Sequence, residues 1–184
     1  MRRRQTYELD YHYCPTCKNE LKFLPQNDRE YLTCDQCQFT FWNNPKPVVS
    51  GLFMKSNKVL LIYRKAHSYK DYWSLPGGII STFEDPIIAL KREFFEETNY
   101  VIDVGEILEA NTIIYIPKGR YKKPSYTSVD IIYRVNIKNF DPTKIYQVNN
   151  DEISKINIFS STNLPKRIAF YHRKVINKFA FKIR

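Results

Sequence analysis

The chain has 184 residues, enough for one domain at about 150 residues each plus a small appendage, and enough to bury a core without disulfides. With 43% hydrophobic, 26% charged and 15% aromatic residues and only 5 Gly and 10 Pro, it is neither disordered, collagen-like nor low in complexity. Its 29 Lys and Arg against 19 Asp and Glu leave a net charge of +10, which favours anionic partners or is simply solvated surface.

The basic start, Met1-Arg2-Arg3-Arg4-Gln5-Thr6, runs into Tyr7-Glu8-Leu9-Asp10 rather than an apolar stretch, so no signal peptide is visible. No apolar run approaches the roughly 18 residues of a membrane span. A cytoplasmic protein without membrane attachment is expected. All four cysteines fall in two Cys-x-x-Cys pairs, Cys14–Cys17 and Cys34–Cys37, with sixteen residues between Cys17 and Cys34. Two residues inside a pair let both sulfurs face one metal, and the spacer is long enough for a hairpin that returns the second pair. This is the spacing of a structural zinc site. Glu20–Leu24 and Arg29–Thr33 are the expected strands, around a turn at Pro25-Gln26-Asn27-Asp28. So few residues cannot make a core alone, and metal binding supplies the missing folding energy. The alternatives are two disulfides, which need a secreted chain, or a redox pair. His12 is read as a bystander beside four thiolates.

Asn43-Asn44-Pro45-Lys46-Pro47 reads as a linker. Val48–Met54 and Val59–Arg64 then predict a hairpin turning at Ser56-Asn57-Lys58. Further strands are expected at Thr112–Ile116, Ser128–Val135 and Glu152–Phe159. From Lys166 onward, Ile168, His172, Val175, Ile176, Phe179 and Ile183 recur at three and four, which predicts a helix with one apolar face. The order of elements is that of an α+β protein, a mixed sheet between helices.

The chemistry concentrates between Trp73 and Tyr100. Trp73-Ser74-Leu75-Pro76-Gly77-Gly78 is followed by Glu84 and then Arg92-Glu93-Phe94-Phe95-Glu96-Glu97. Asp85 suits a helix N-cap and Pro86 the first helical position, with Ile87, Leu90, Phe94 and Ala89 as the buried stripe. Glu93, Glu96 and Glu97 are three and four apart, so they share one face and repel. A hard divalent cation turns that repulsion into a binding site. Gly77 and Gly78 remove side chains where a backbone must approach a phosphate or expose a carbonyl. Taken alone, the acidic turn reads as a solvated helix face, and it is the surrounding residues that point to a site.

Gly78, Glu84, Arg92, Glu93, Phe94, Glu96, Glu97, Asn99 and Tyr100 resemble the Nudix box, G-x5-E-x7-R-E-U-x-E-E-x-G-U, where U is apolar. The last Gly is replaced by Asn99, the residue that best tolerates a left-handed helix end. Many relatives also have Gly where this chain has Phe83. With the cysteine pairs and the Asn-Pro-Lys-Pro segment, the chain is similar to the zinc-ribbon-bearing Nudix hydrolases, a group that includes NADH diphosphatases. The resemblance implies a zinc ribbon over residues 1–44, a Nudix domain over 45–184, and hydrolysis of a nucleoside diphosphate joined to another moiety with Mg²⁺ or Mn²⁺. It implies metal ligation by Gly78, Glu93, Glu96 and Glu97, with Gly77 shaping the loop. Arg92 orients the carboxylates through Glu84, and either Glu93 or Glu152 is the general base.

The NADH signature Ser-Gln-Pro-Trp-Pro-Phe-Pro-x-Ser is missing, which places an ADP-ribose-like small molecule ahead of NADH. Pro117 weakly favours ADP-ribose, while Tyr115 competes as a mark of dinucleoside polyphosphates. The basic, aromatic insert Pro117–Pro124 suits a nucleotide cover or an exposed hairpin loop. Capped RNA, NADH or another dinucleotide, and a non-catalytic nucleic-acid-binding role remain alternatives, and a homodimer is compatible with the family.

Overall fold

The computed structural model describes residues 3–4, 11–26, 29–42, 44–65, 69–115, 126–143, 145, 148 and 151–181. Asn27 and Asp28 of the expected turn, Asn43, Ile116, the insert with Pro117, and Ile183 lie outside the described residues. Internal contacts divide the chain into Met1–Pro45 with Ile114–Thr127, and Lys46–Ile113 with Ser128–Arg184.

In the first unit β1 (Arg3–Arg4) runs parallel to β3 (Arg29–Thr33), which pairs antiparallel with β2 (Lys22–Gln26) and with β4 (Thr40–Phe41). The second expected strand is observed as read. The first is shifted toward Gln26, so Pro25 and Gln26 belong to the strand and not to the turn. The core is small: Cys14, Leu21, Leu32 and Cys34 are buried, with Cys17, Phe39 and Phe41 packed against them.

The second unit is a mixed sheet in the order β11-β6-β5-β10-β9. Its strands are β5 (Lys46–Lys55), β6 (Lys58–Arg64), β9 (Ile102–Tyr115), β10 (Tyr126–Ile137) and β11 (Ile153–Ser160). Two short strands add to it: β7 (Trp73–Ser74) on β6 and β8 (Gly77–Ile79) on β5. β5 and β10 pair in parallel, while β5–β6 and β6–β11 are antiparallel. Helix α1 (Pro86–Thr98) covers one face, and α2 (His172–Ile176) with a π-helical turn at Asn177–Phe181 covers the other.

The pattern follows from burial on both faces. Phe53, Leu60, Ile62, Tyr133 and Val135 pack with Ala89, Leu90 and Phe94 of α1. Their strand neighbours Leu52, Val59, Leu61 and Ile132 pack with Val175, Ile176 and Ala180. A strand buried on both sides needs a continuous apolar run, which is what Val59–Tyr63 supplies. The hairpin turns at Ser56 and Asn57, both with positive φ (50° and 58°), which matches the twist of the flanking strands.

Four expectations are corrected. The linker ends at Pro45, because Lys46 and Pro47 begin β5. Pro47 is tolerated at a strand start, and its carbonyl accepts the Ile80 N–H at 3.1 Å. Ile87 is exposed, and the buried face of α1 is Ala89, Leu90, Phe94, Glu97 and Thr98. The C-terminal helix starts at His172 rather than Lys166. The preceding stretch pairs with β7 instead, with Ala169 N–H on Trp73 O at 2.8 Å and Trp73 N–H on Arg167 O at 3.0 Å. β9 begins at Ile102, well before the Thr112–Ile116 reading; Asp103, Gly105, Glu106, Glu109 and Asn111 interrupt its apolar pattern and hide the strand in the sequence.

Candidate functional site

Helix α1 begins where Asp85 accepts N–H groups from Ile87 (2.8 Å) and Ile88 (3.4 Å), with Pro86 at the first position. It ends at Asn99, which is left-handed (φ 59°) and donates its N–H to Phe95 O at 2.7 Å. Asn99 thus closes the helix in the left-handed conformation that a glycine would otherwise supply. The loop before the helix contains Phe83, with φ 65° and its ring fully exposed. A bulky side chain is disfavoured there and gains no packing. Phe83→Gly should therefore stabilise the protein by about 0.5–1 kcal/mol, relief of strain outweighing the added chain entropy. Chemical denaturation checks this, and a loss of stability would mean that the ring is engaged.

Arg92 organises the acidic residues. Its Nε and Nη2 donate to the two Glu84 oxygens at 2.7 and 2.9 Å. Its Nη1 donates to Glu93 at 2.8 Å and to Glu96 at 3.2 Å, and Nη2 also reaches Ile79 O at 3.4 Å. Glu84 in turn accepts the Ser81 N–H at 2.9 Å, which ties the loop to the helix. The paired guanidinium holds Glu84 down at about 2, against an ordinary 4.5. The sign follows directly: a depressed carboxyl lends stability above about 4.5 and loses it as pH falls toward 2. Glu84→Gln should flatten that acid limb of the stability profile, as read by denaturation at pH 2–5.

Glu97 points inward. Its side chain is buried and accepts the Gly77 N–H at 2.7 Å. Burial pushes its carboxyl well above the usual range, against the opposing Gly77 N–H and the Arg64 charge. Glu93 is half-buried and also raised, by burial first, against the hydrogen bond and charge of Arg92. Glu152, on the loop before β11, adds a like charge to both. The glycines explain the close approach. Gly77 has φ 147°, and a side chain there would run into the Val49 carbonyl. A Cβ on Gly78 would collide with the Glu93 carboxylate. Glu84, Arg92, Glu93, Glu96, Glu97, Gly77 and Gly78 are therefore together, with Glu152 within electrostatic range. Glu93 and Glu96 are engaged with Arg92, and Glu97 with the loop.

In the other unit the four thiols are free, and their sulfurs lie within 4.8 Å of one another. Cys14 and Cys37 are 3.5 Å apart and Cys17 and Cys34 3.4 Å, beyond any disulfide bond. A tetrahedral zinc with Zn–S of about 2.3 Å needs S···S edges of about 3.8 Å, so the set fits. The two pairs are built alike: Lys18 and Gln38, each just after the second Cys, both have φ 63°, and each donates its N–H to the first Cys carbonyl. Asn19 backbone and side-chain amides bring Cys17 down to about 6, while, against the Phe39 N–H, the neighbouring thiols push Cys37 up to about 12, the opposed shifts of four sulfurs crowded together. His12 takes no part in the cluster.

One buried pair was missed by the sequence reading. His172 Nδ1 accepts the Leu75 N–H at 3.0 Å, and its Nε2 faces Asp130 at 3.1 Å, both side chains being 2% exposed. The proton therefore sits on Nε2 and points at Asp130. The pair anchors the strand that leads into Pro76, whose carbonyl accepts the Gly51 N–H, and then Gly77. Its signal was an aspartate inside the apolar run Val129–Tyr133. Arg64, whose charge acts on Glu97, gave no signal.

A mixed sheet between helices, with a glycine loop closed onto a carboxylate-bearing helix, is the frame of a Nudix hydrolase. The NUDIX domain model matches residues 44–179, and the chain belongs to the Nudix family as a pyrophosphohydrolase. It is 27% identical over 145 residues to an ADP-ribose pyrophosphatase of Methanocaldococcus jannaschii, covering 79% of each chain. The fold is similar to a Nudix hydrolase of Nitrosomonas europaea (TM-score 0.69, 21% identity, 94% of this chain and 92% of that one). It is also similar to a MutT Nudix hydrolase of Burkholderia pseudomallei (TM-score 0.61, 20% identity, 74% and 98%). The four-cysteine cluster is consistent with the zinc-ribbon subgroup. Among the described residues no helix is long and apolar enough to cross a membrane.

Proposed function

We propose that the protein hydrolyses the pyrophosphate link of a nucleoside diphosphate joined to a second group, an ADP-ribose-like small molecule being favoured, with Mg²⁺ or Mn²⁺. The observation that carries this reading is the gathering of Glu84, Glu93 and Glu96 on Arg92, with Glu97 held by the Gly77 N–H, all beside a two-glycine loop. The donor set fits a hard cation: Glu93, Glu96 and Glu97 offer carboxylate oxygens and Gly78 a carbonyl. Burial disfavours the charged forms of Glu93 and Glu97, and a cation reverses that penalty. The bound ion supplies charge neutralisation on the pyrophosphate and a more acidic water. Arg92 keeps the carboxylates ordered between turnovers, and Gly78 leaves the approach open. Glu93 or Glu152 accepts the proton of the attacking water.

The similarity to an ADP-ribose pyrophosphatase supports that substrate class. The reading includes a zinc-bearing ribbon over 1–44 that takes no part in hydrolysis, since four sulfurs leave zinc no open position. It places the Nudix domain over 45–184. Free thiols fit a reducing compartment, so the cytoplasm is the proposed location, with a homodimer as a compatible assembly.

The test is a nucleotide-release screen with and without Mg²⁺ over ADP-ribose, NADH, dinucleoside polyphosphates, nucleoside triphosphates and capped RNA. Metal-dependent turnover of ADP-ribose is expected, with only a shallow salt dependence of apparent affinity. Turnover of capped RNA at low salt, with none of any free nucleotide derivative and a steep linear fall of log affinity against log salt, would replace this reading with an RNA-end hydrolase.

A further inference from the structure

Three segments of the second unit bring aromatic rings and guanidinium groups to one edge of the sheet. Arg64 closes β6, where its N–H donates to Tyr72 O at 2.9 Å and its carbonyl accepts the Asp71 N–H at 3.0 Å. The next residue, Lys65, donates its N–H to Glu152 O at 2.6 Å. The Arg64 guanidinium lies 5.4 Å from the Phe170 ring centre. Phe170 meets Tyr69 edge-on at 4.6 Å, Tyr69 meets Tyr72 at 5.5 Å, and Arg167 stands 5.9 Å from the Tyr72 ring. The result is a continuous row, Arg64, Phe170, Tyr69, Tyr72, Arg167, that starts beside the carboxylate cluster.

Two features set this row apart from ordinary packing. Tyr69, Asp71 and Phe170 all have positive φ (61°, 65° and 57°), a conformation that bulky side chains adopt only when the surroundings force it. The strain leaves one ring of the row open: Tyr69 remains 39% exposed, while Phe170 is half-buried and also packs edge-on against His172 at 5.1 Å. Alternating π-faces and cations suit a ligand that is itself aromatic at one point and anionic at the next. Because Lys65, the residue after Arg64, donates its N–H to the Glu152 carbonyl, the row begins at the loop that carries Glu152.

We propose that Tyr69, Tyr72 and Phe170, with Arg64 and Arg167, form the subsite for the base of a nucleotide, the base stacking on the exposed ring of Tyr69 and the phosphate meeting Arg64. The proposal rests on the pyrophosphatase reading for the direction in which the nucleotide lies. The row, rather than the acidic helix, then sets the preference for substrates that carry a base.

The experiment is calorimetric titration of the full chain, without added magnesium and without chelator, with AMP and with ribose 5-phosphate. These probes share sugar and phosphate and differ in the base. AMP should bind on the order of tenfold more tightly. Tyr69→Ala should remove that difference and leave ribose 5-phosphate binding unchanged, while Tyr69→Phe should retain it. Equal binding of the two probes by the wild type, or an unaltered AMP preference in Tyr69→Ala with native circular dichroism, overturns the subsite. Tighter binding of a single-stranded oligonucleotide than of AMP, with log affinity falling linearly against log salt, overturns it in favour of nucleic acid. No step here requires hydrolysis, so failure of the subsite and failure of the pyrophosphatase reading are read separately.

Discussion

Glu97→Gln is expected to lower metal-dependent turnover of ADP-ribose by about a thousandfold while leaving the fold intact. Removing one carboxylate from the donor set takes away several kcal/mol of transition-state charge stabilisation, and each 1.4 kcal/mol is roughly tenfold in rate. The folded state tolerates the change for a reason visible in the geometry. Glu97 is buried, and its link to the loop is the N–H that Gly77 donates to Oε2. A glutamine carbonyl accepts the same N–H, and the cost of burying a charge disappears. Without metal, the variant should therefore melt at the wild-type temperature or above it. Near-wild-type turnover would remove Glu97 from the site. Unfolding of the variant would make the residue part of the scaffold instead.

Loss of zinc should have the second large effect, confined to the small unit. Elemental analysis of protein purified without chelator should give one zinc per chain, and Cys34→Ser should abolish it. Cys34 is fully buried and, with Cys14, Leu21 and Leu32, forms the buried apolar cluster among the described residues of that unit. Structural zinc contributes about 10–16 kcal/mol of apparent binding energy, at least comparable with the roughly 6–12 kcal/mol that four buried apolar side chains supply at about 1.5–3 each. Cys34→Ser should expose the segment around residues 11–42 to proteolysis while the Nudix domain keeps its amide protection. Zinc-free protein with an intact hairpin, or a native disulfide between Cys14 and Cys17, would overturn the assignment.

The two Cys-x-x-Cys pairs, the acidic turn of α1 and its caps were legible because each depends on local spacing. Cys14 and Cys17 are held by a turn of their own, and Glu93, Glu96 and Glu97 share a face because a helix repeats every 3.6 residues. Asp85, Pro86 and Asn99 follow from the chemistry of helix ends, which involves only adjacent backbone groups. The apolar, β-branched stretches of β5, β6 and β10 announced strands, and their burial on both faces came only with the structure.

What only the tertiary structure decided is where those local pieces point. A shared helix face does not make three equal carboxylates: Glu96 is exposed and bound to Arg92, while Glu97 is buried against Gly77, because the loop packs over one edge of the helix. The C-terminal helix begins at His172 instead of Lys166, since hydrogen bonds from Trp73 and to its carbonyl draw the residues around Ile168 to the edge of the sheet. His172 carried the spacing of an apolar face, and only its contact with Asp130, 42 residues away in sequence, reveals a polar role. Arg64, Tyr69 and Phe170 lie in three segments with no common motif. They meet because β6, the loop after it and the approach to α2 end at one corner, a long-range arrangement that no short window of sequence encodes.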